Sequence, residues 1–359
     1  MSAPVAEAVV VPADQLRAFA AAVARAAGMP ADDAAVVADG MVWTELRGID
    51  IGIKRLPTLV ARIRGGGTIA DPKPVVIKES PTFAVLDGRG AWGQVTAARA
   101  MRIAIAKARA GGVGACVVRD TGNALAMGYY PWLAVQEGLI GLAITNAIPL
   151  QAPWGGSQKL LGNQAYAIGC PTGRHAPVIF DGATTALSWV GIHEYQSRGE
   201  PLPSGVALDV RGEPTTDPAA ALAGLLLPAG GHKGYGLALM WEILTGVLSG
   251  GEVFAPFVSG MQGHERAGQS TFLLAIDPSM SMPRETFLER VDTLIERIHA
   301  SPPAPGVERV YVPGERSAEI AAVGERDGIR LPSARVDELR ALSHELGVEL
   351  PEALALLPG

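Results

Sequence analysis

Val85-Leu86-Asp87-Gly88-Arg89-Gly90-Ala91-Trp92-Gly93-Gln94 holds a G-x-G-x-x-G pattern between an apolar run, 83–86, and residues 94–110, whose apolar positions recur at helical spacing. Two architectures compete for it. In a dinucleotide-binding βαβ unit the first glycine makes the tight turn, the second admits pyrophosphate, and an acid after the next strand takes the ribose hydroxyls. A second strand over 114–118, ending near Asp120, would supply those parts. Against this stands Asp87, which would lie beside the diphosphate and repel it where an apolar strand end is usual. A tight D-G turn between a strand and a helix accounts for the same letters. The rest of the chain has to decide.

The chain has 359 residues, 48% of them hydrophobic, with 44 glycines, enough for two domains or one elaborated α/β domain. Its net charge of −6, with no run of Lys or Arg, offers no source for counterion-driven binding, so no nucleic-acid partner is expected. Cys116 and Cys170 lie in separate apolar stretches and read as buried structural thiols. No H-E-x-x-H, C-x-x-C or carboxylate cluster occurs, so no metal is implied. Neither a G-x-S-x-G elbow nor a Walker loop is present. Residues 1–8 lack the basic start and apolar core of a signal peptide, and 234–249 is too short to span a bilayer and contains Glu242. A cytoplasmic protein without a membrane partner is the expectation.

Residues 12–65 read as helices, interrupted by the charged stretch T-E-L-R-G-I-D-I-G-I-K-R-L-P. From 74 to 147 strands (75–77, 83–86, 115–118, 140–145) alternate with helices (94–110, 127–137), which favours a sheet covered by helices. A glycine- and proline-rich centre follows, then a strand over 178–181 and a helix over 184–198. In 225–239 a loop passes into a helix, where Gly230, Gly231 and Gly234 expose backbone N–H groups as a natural anion site. A strand at 271–276, a helix at 284–300, a strand at 307–312 and helices at 317–326 and 333–346 complete the reading.

Ten of these stretches together resemble the type-2 malate/L-lactate dehydrogenase family, whose relatives include ureidoglycolate dehydrogenases and cyclic imino acid reductases. They are R-L-P at 55–57, D-G-x-x-x-x-G-Q at 87–94, A-A-R-A-M at 97–101, G-Y-Y at 128–130 and A-P-W-G-G at 152–156. F-D-x-A-T at 180–184, G-E-P-L-P at 199–203, D-P-A-A-A-L at 217–222, G-G-H-K-G-Y-G-L at 230–237 and S-P-P-A-P-G at 301–306 continue the series. The resemblance implies a non-Rossmann α/β fold with a mixed sheet, in which 88–93 is a structural turn and not a phosphate site. It implies an N-terminal helical segment, 1–70, on the substrate side, a cofactor-binding core, 71–315, and C-terminal helices, 316–359, packed on that segment or on a dimer partner. It also implies a homodimer using NADH or NADPH on a small-molecule substrate, a carboxylated keto, imino or hydroxy compound.

By the same resemblance, Arg55 clamps the substrate carboxylate, with Arg47 and Asp50 nearby. Pro153, Gly155, Gly156, Asn163, Asp181, Thr184, His232, Lys233, Gly234 and Gly236 hold the cofactor. The chain departs from the family where protons move. The family's R-G-H-D-S-H-G is here Arg47-Gly48-Ile49-Asp50-Ile51-Gly52, without the histidines and serine, and its S-N-H-F-G histidine is Asn123. Asn123 cannot titrate, though it can polarise a carbonyl or an oxyanion by hydrogen bonding. Proton transfer then falls to solvent, to the substrate, or to Asp120, Tyr129 or Asp50. An imine that arrives protonated relaxes the need for an acid. The rival reading is a scaffold repurposed for cofactor-independent chemistry or for ligand binding. His193, alone on its helix, reads as a surface residue, and Asp181 as either a cofactor ligand or a helix cap.

Overall fold

The computed structural model describes residues 8–254 and 264–355; residues 1–7, which bear on the signal-peptide reading, lie outside them, as do 255–263 and 356–359. Strand β1 (Ala8–Val11) leads into α1 (Ala13–Ala26) and α2 (Ala31–Leu46), and a 3-10 turn, Ile53–Arg55, feeds α3 (Leu56–Arg64). Next come β2 (Val75–Glu79), β3 (Phe83–Ala91), α4 (Gly93–Gly111), β4 (Val113–Thr121), α5 (Tyr129–Gln136) and β5 (Ile140–Thr145). The centre supplies β6 (Tyr166–Cys170), β7 (Val178–Gly182), α6 (Trp189–Arg198), β8 (Ala207–Leu208), α7 (Pro218–Ala223), β9 (Leu225–Leu226) and α8 (His232–Glu242). The last elements are β10 (Gln269–Ile276), α9 (Arg284–His299), α10 (Glu315–Asp327), β11 (Ile329–Pro332), α11 (Ser333–Leu346) and α12 (Glu352–Ala355).

Seven strands form one sheet in the order β2-β3-β4-β10-β5-β6-β7. Only β3 and β4 run parallel; every other neighbouring pair is antiparallel. A dinucleotide-binding βαβαβ sheet requires a parallel ladder, so this mixed sheet answers the opening question against the Rossmann reading. Gly88 and Gly90 lie inside β3, which extends to Ala91 instead of stopping at Leu86. A Cβ on Gly88 would stand 2.7 Å from the Asp120 carbonyl oxygen, and one on Gly93 only 2.3 Å from that of Gly122. The glycines admit the chain's own β4–α5 loop. The Asp87 carboxylate is held by Arg119 at 3.0 Å, not presented to an anion.

Helix α4 covers β3 and β4 because Ala97, Ala100, Met101, Ala104 and Ala108 give it a small-residue face, and Gly114 admits the Ala104 carbonyl. Helix α1 buries Leu16, Phe19, Ala20 and Val23 at helical spacing. It packs into a cluster with Val37, Met41, Ile53 and Leu56 of the N-terminal part and with Leu331, Leu339 and Leu354 of the C-terminal part. In the same region β1 pairs antiparallel with β11, Ala8 opposite Pro332.

Three local expectations are corrected. Residues 307–312 form no strand: Pro313 accepts one hydrogen bond from Ile179 N–H at the free edge of β7, but lacks the N–H needed to return it. The helix expected over 184–198 begins only at Trp189, since Thr184 and Thr185 are tied to the loops at 163 and 228. Residues 166–170, within the glycine-rich centre, are a sheet strand.

Candidate active site at the sheet end

The topology brings the C-termini of β3, β4, β5 and β7 and the N-termini of β6 and β10 to one end of the sheet, shown by the pairs Ala91 with Thr121, Thr121 with Gln269, Ile144 with Tyr166 and Tyr166 with Gly182. Asn123 lies two residues beyond β4. Its Oδ1 accepts the Leu125 N–H at 2.7 Å, which orients the amide. Beside it Gln269 donates to the Asn146 carbonyl at 3.0 Å, and Asn146 Oδ1 accepts the Ser270 N–H at 2.8 Å. Gln164 donates to Glu242, whose carboxyl burial keeps above its ordinary range.

Most of the proposed cofactor residues gather against this end. Thr184 donates both its N–H and its hydroxyl to the Asn163 carbonyl at 2.9 Å, and accepts a bond from Gln151 at 3.2 Å. A Cβ on Gly234 would lie 2.7 Å from the Thr184 carbonyl, so the start of α8 is seated on that loop. Gly230 and Gly231 both take positive φ, and a Cβ on Gly155, Gly230 or Gly236 would meet open space. The first-turn N–H groups of His232, Lys233 and Gly234 have no carbonyl of their own helix to receive them. Pro153 and Gly156 close a turn by a 2.8 Å bond, and Trp154 at its corner meets His232 edge to face.

Asp181 is not with them. Its carboxylate accepts the Gly128 N–H at 2.7 Å and caps α5, on the face of β7 opposite Phe180, which turns toward Tyr166. Asp120 is paired with Arg266 at 3.3 Å. Tyr129 donates to Asp39 at 2.8 Å, and burial pushes its phenol far up, so it holds its proton tightly. It faces a cavity of about 450 Å³ lined by Asp32, Ala35, Val36, Asp39 and Arg102. His193 lies exposed beside Trp189.

Of the residues expected on the substrate side, Arg47 lies 3.9 Å over the Trp43 ring and burial brings its pKa down to about 10, while Asp50 pairs with Lys54 and stands 3.9 Å from Arg335. Arg55 has a buried Nε without a partner among the described residues. Glu45 escaped the sequence reading. Its Oε1 accepts the Ile53 N–H at 2.7 Å, fixing the turn that carries Arg55, and burial raises it to about 7. Because the raised value favours the neutral form, stability is full below the ordinary range and falls as pH rises through about 7. Glu45→Gln should therefore melt with its parent near about pH 4.5 and exceed it by on the order of 2 kcal/mol at about pH 8.5. An offset equal at both pH values would refute the assignment.

Also missed were five buried acceptors without donors among the described residues: the Oε1 atoms of Gln151, Gln164, Glu242 and Gln269, and Thr271 Oγ1. Only the fold makes them neighbours of the sheet end, and isolated glutamines carry no spacing signal.

Residues 11–340 match the family model described as malate/L-lactate dehydrogenase. The chain belongs to the malate/L-lactate dehydrogenase family. As a member it is 37% identical to the malate dehydrogenase of Pyrococcus horikoshii over 315 residues, covering 85% of this chain and 87% of that protein. The sulfolactate dehydrogenase structure from Methanocaldococcus jannaschii superposes with a TM-score of 0.88 at 35% identity, over 95% of this chain and 98% of that one. The Δ1-piperideine-2-carboxylate reductase of Pseudomonas syringae pvar. tomato gives 0.84 at 29% identity, over 93% and 99%. Family membership makes this malate/L-lactate dehydrogenase homologue an oxidoreductase on an α/β, mixed-sheet fold. No helix among the described residues is long and apolar enough to cross a membrane, and no cluster of three or more metal-binding side chains occurs among them.

Proposed function

We propose that the chain transfers hydride between NAD(H) or NADP(H) and a small carboxylated imine, ketone or hydroxy compound at the sheet end. The observation that carries this reading is a set of buried acceptors without donors among the described residues: Gln164, Glu242 and Gln269 at the sheet end, and Gln151, whose amide bonds Thr184 on the loop that seats the glycine-lined start of α8. Groups left this way are costly unless a ligand supplies the donors, and a nicotinamide carboxamide carries two N–H groups. The residues present thus fit a pyridine nucleotide, which when bound supplies or accepts the hydride.

Lys233, His232 and the open N–H groups of α8 take the diphosphate, since a helix start favours negative charge. Asn163, Thr184 and Gly234 fix the loop on which that helix is seated, and Pro153, Gly155 and Gly156 shape the wall opposite. Arg55 receives the substrate carboxylate. Asn123 donates from Nδ2 to a reacting carbonyl or alkoxide oxygen and polarises it without moving a proton; to a protonated imine, whose nitrogen has no lone pair, it offers the second lone pair of Oδ1 as acceptor. With Asp120 and Tyr129 engaged elsewhere, an imine protonated before binding suits the site best, and the likeness to a piperideine-2-carboxylate reductase supports that class.

Calorimetric titration with NADH and NADPH is expected to give saturable binding to at least one, with Kd on the order of 1–100 μM, and cyclic imino acids should then oxidise the bound form at its absorbance band. A chain that binds neither would instead be the repurposed scaffold. The exposed apolar side chains Ile168, Phe180, Leu237 and Met240 support a homodimer. A monomeric mass in sedimentation would refute that.

A further inference from the structure

We infer that Trp154 is the adenine platform of the cofactor site, a stacking residue that rests on the nucleotide reading above. Trp154 is 58% exposed, unusual for the largest side chain. It is not loosely placed. Pro153 accepts the Gly156 N–H at 2.8 Å, and Gly155 takes φ +82°, so the indole projects from the corner of a closed turn. Its ring edge lies 3.2 Å from where a Gly231 Cβ would be, and the His232 ring meets it at 69° with centroids 6.3 Å apart. The indole is thereby held beside the first turn of α8. A Cβ on Gly155, next in sequence, or on Gly230 would meet nothing within 4 Å.

A second observation points to a ligand beside the loop on which this helix is seated. Gln151, three residues before the indole and fully buried, has its Nε2 occupied by the Gly162 carbonyl and Thr184, yet its Oε1 is unpartnered among the described residues.

The choice of ring follows from exposure. Hydride transfer needs the nicotinamide where water is excluded, at the sheet end among Asn123, Gln164 and Gln269. With the diphosphate across the start of α8, the ring left at the solvent-facing rim is adenine, and a rigid exposed indole face suits it.

Trp154→Phe and Trp154→Ala separate this role from others when titrated with ADP-ribose, AMP and nicotinamide mononucleotide, following tryptophan emission and, in parallel, heat. The wild type should show saturable quenching by ADP-ribose and AMP that is abolished in both variants. Trp154→Ala should weaken ADP-ribose binding about 5- to 100-fold, the range of one base-to-aromatic stack, while Trp154→Phe recovers most of the affinity. Unchanged affinity for ADP-ribose in Trp154→Ala overturns the proposal, with or without a change in oligomeric mass. A loss confined to nicotinamide mononucleotide overturns the choice of ring. If wild-type protein binds no nucleotide in either readout, the cofactor reading itself falls, an outcome distinct from an unaffected variant.

Discussion

Replacing Gly93 by alanine is expected to do more damage than any other single-methyl change around the site. The new Cβ would stand 2.3 Å from the Gly122 carbonyl oxygen, 2.4 Å from the Asn123 carbonyl carbon and 2.5 Å from its oxygen. All three are backbone atoms, so no rotamer change relieves the contact, and the β4–α5 loop must lift off α4. Overpacking of this kind costs about 3 kcal/mol, and displacing Asn123 by about 1 Å costs roughly 100-fold in kcat/KM. Gly236→Ala is the matched control, because its Cβ meets open space within α8, where alanine favours the helix. Thermal melts should show Gly93→Ala falling steeply and Gly236→Ala holding or gaining. Equal melting of Gly93→Ala and its parent would mean that the loop does not pack as described.

Arg55→Ala should produce the second large effect, on substrate and not on fold. Burial lowers the Arg55 pKa while the charge of Asp50 counters it, and its Nε has no partner among the described residues, so the guanidinium is poised for an outside carboxylate. A bidentate charged pair is worth about 2–4 kcal/mol, so KM for a carboxylated substrate should rise about 30- to 1000-fold. Arg55→Lys keeps the charge but loses the fork and should recover only part of this. The decisive comparison is acid against the corresponding amide: wild type should prefer the acid strongly, and Arg55→Ala should not. Preference retained in the variant would show that another cation holds the carboxylate.

What could be read from the sequence divides along physical lines. The helix over 333–346 and the strand over 140–145 are local facts, and their bounds agree closely with the structure. Asp87 argued correctly against a phosphate turn because its charge is visible without a fold. The contacts made by Gly93 were not visible, since they depend on a parallel neighbour some thirty residues away. Residues 307–312 look like a strand by composition, yet pairing depends on a proline beyond their end. The same limit hid the buried acceptors: Gln151, Gln164, Glu242 and Gln269 are separate letters in the sequence until the fold buries them. Asp181 was read beside Thr184, its neighbour in sequence, whereas strand alternation sends its carboxylate through the sheet to Gly128.

The pairing of Ala8 with Pro332 sets the order in which this molecule can be made. The lobe that carries Arg55 shares its interior with Leu331, Leu339 and Leu354, which leave the ribosome long after it. Helices α1 to α3 must therefore wait, apolar flanks uncovered, until those residues emerge, while the sheet between them can already form. A nascent chain arrested before about residue 330 would bury its central strands and still leave the turn that carries Arg55 without its packing partners.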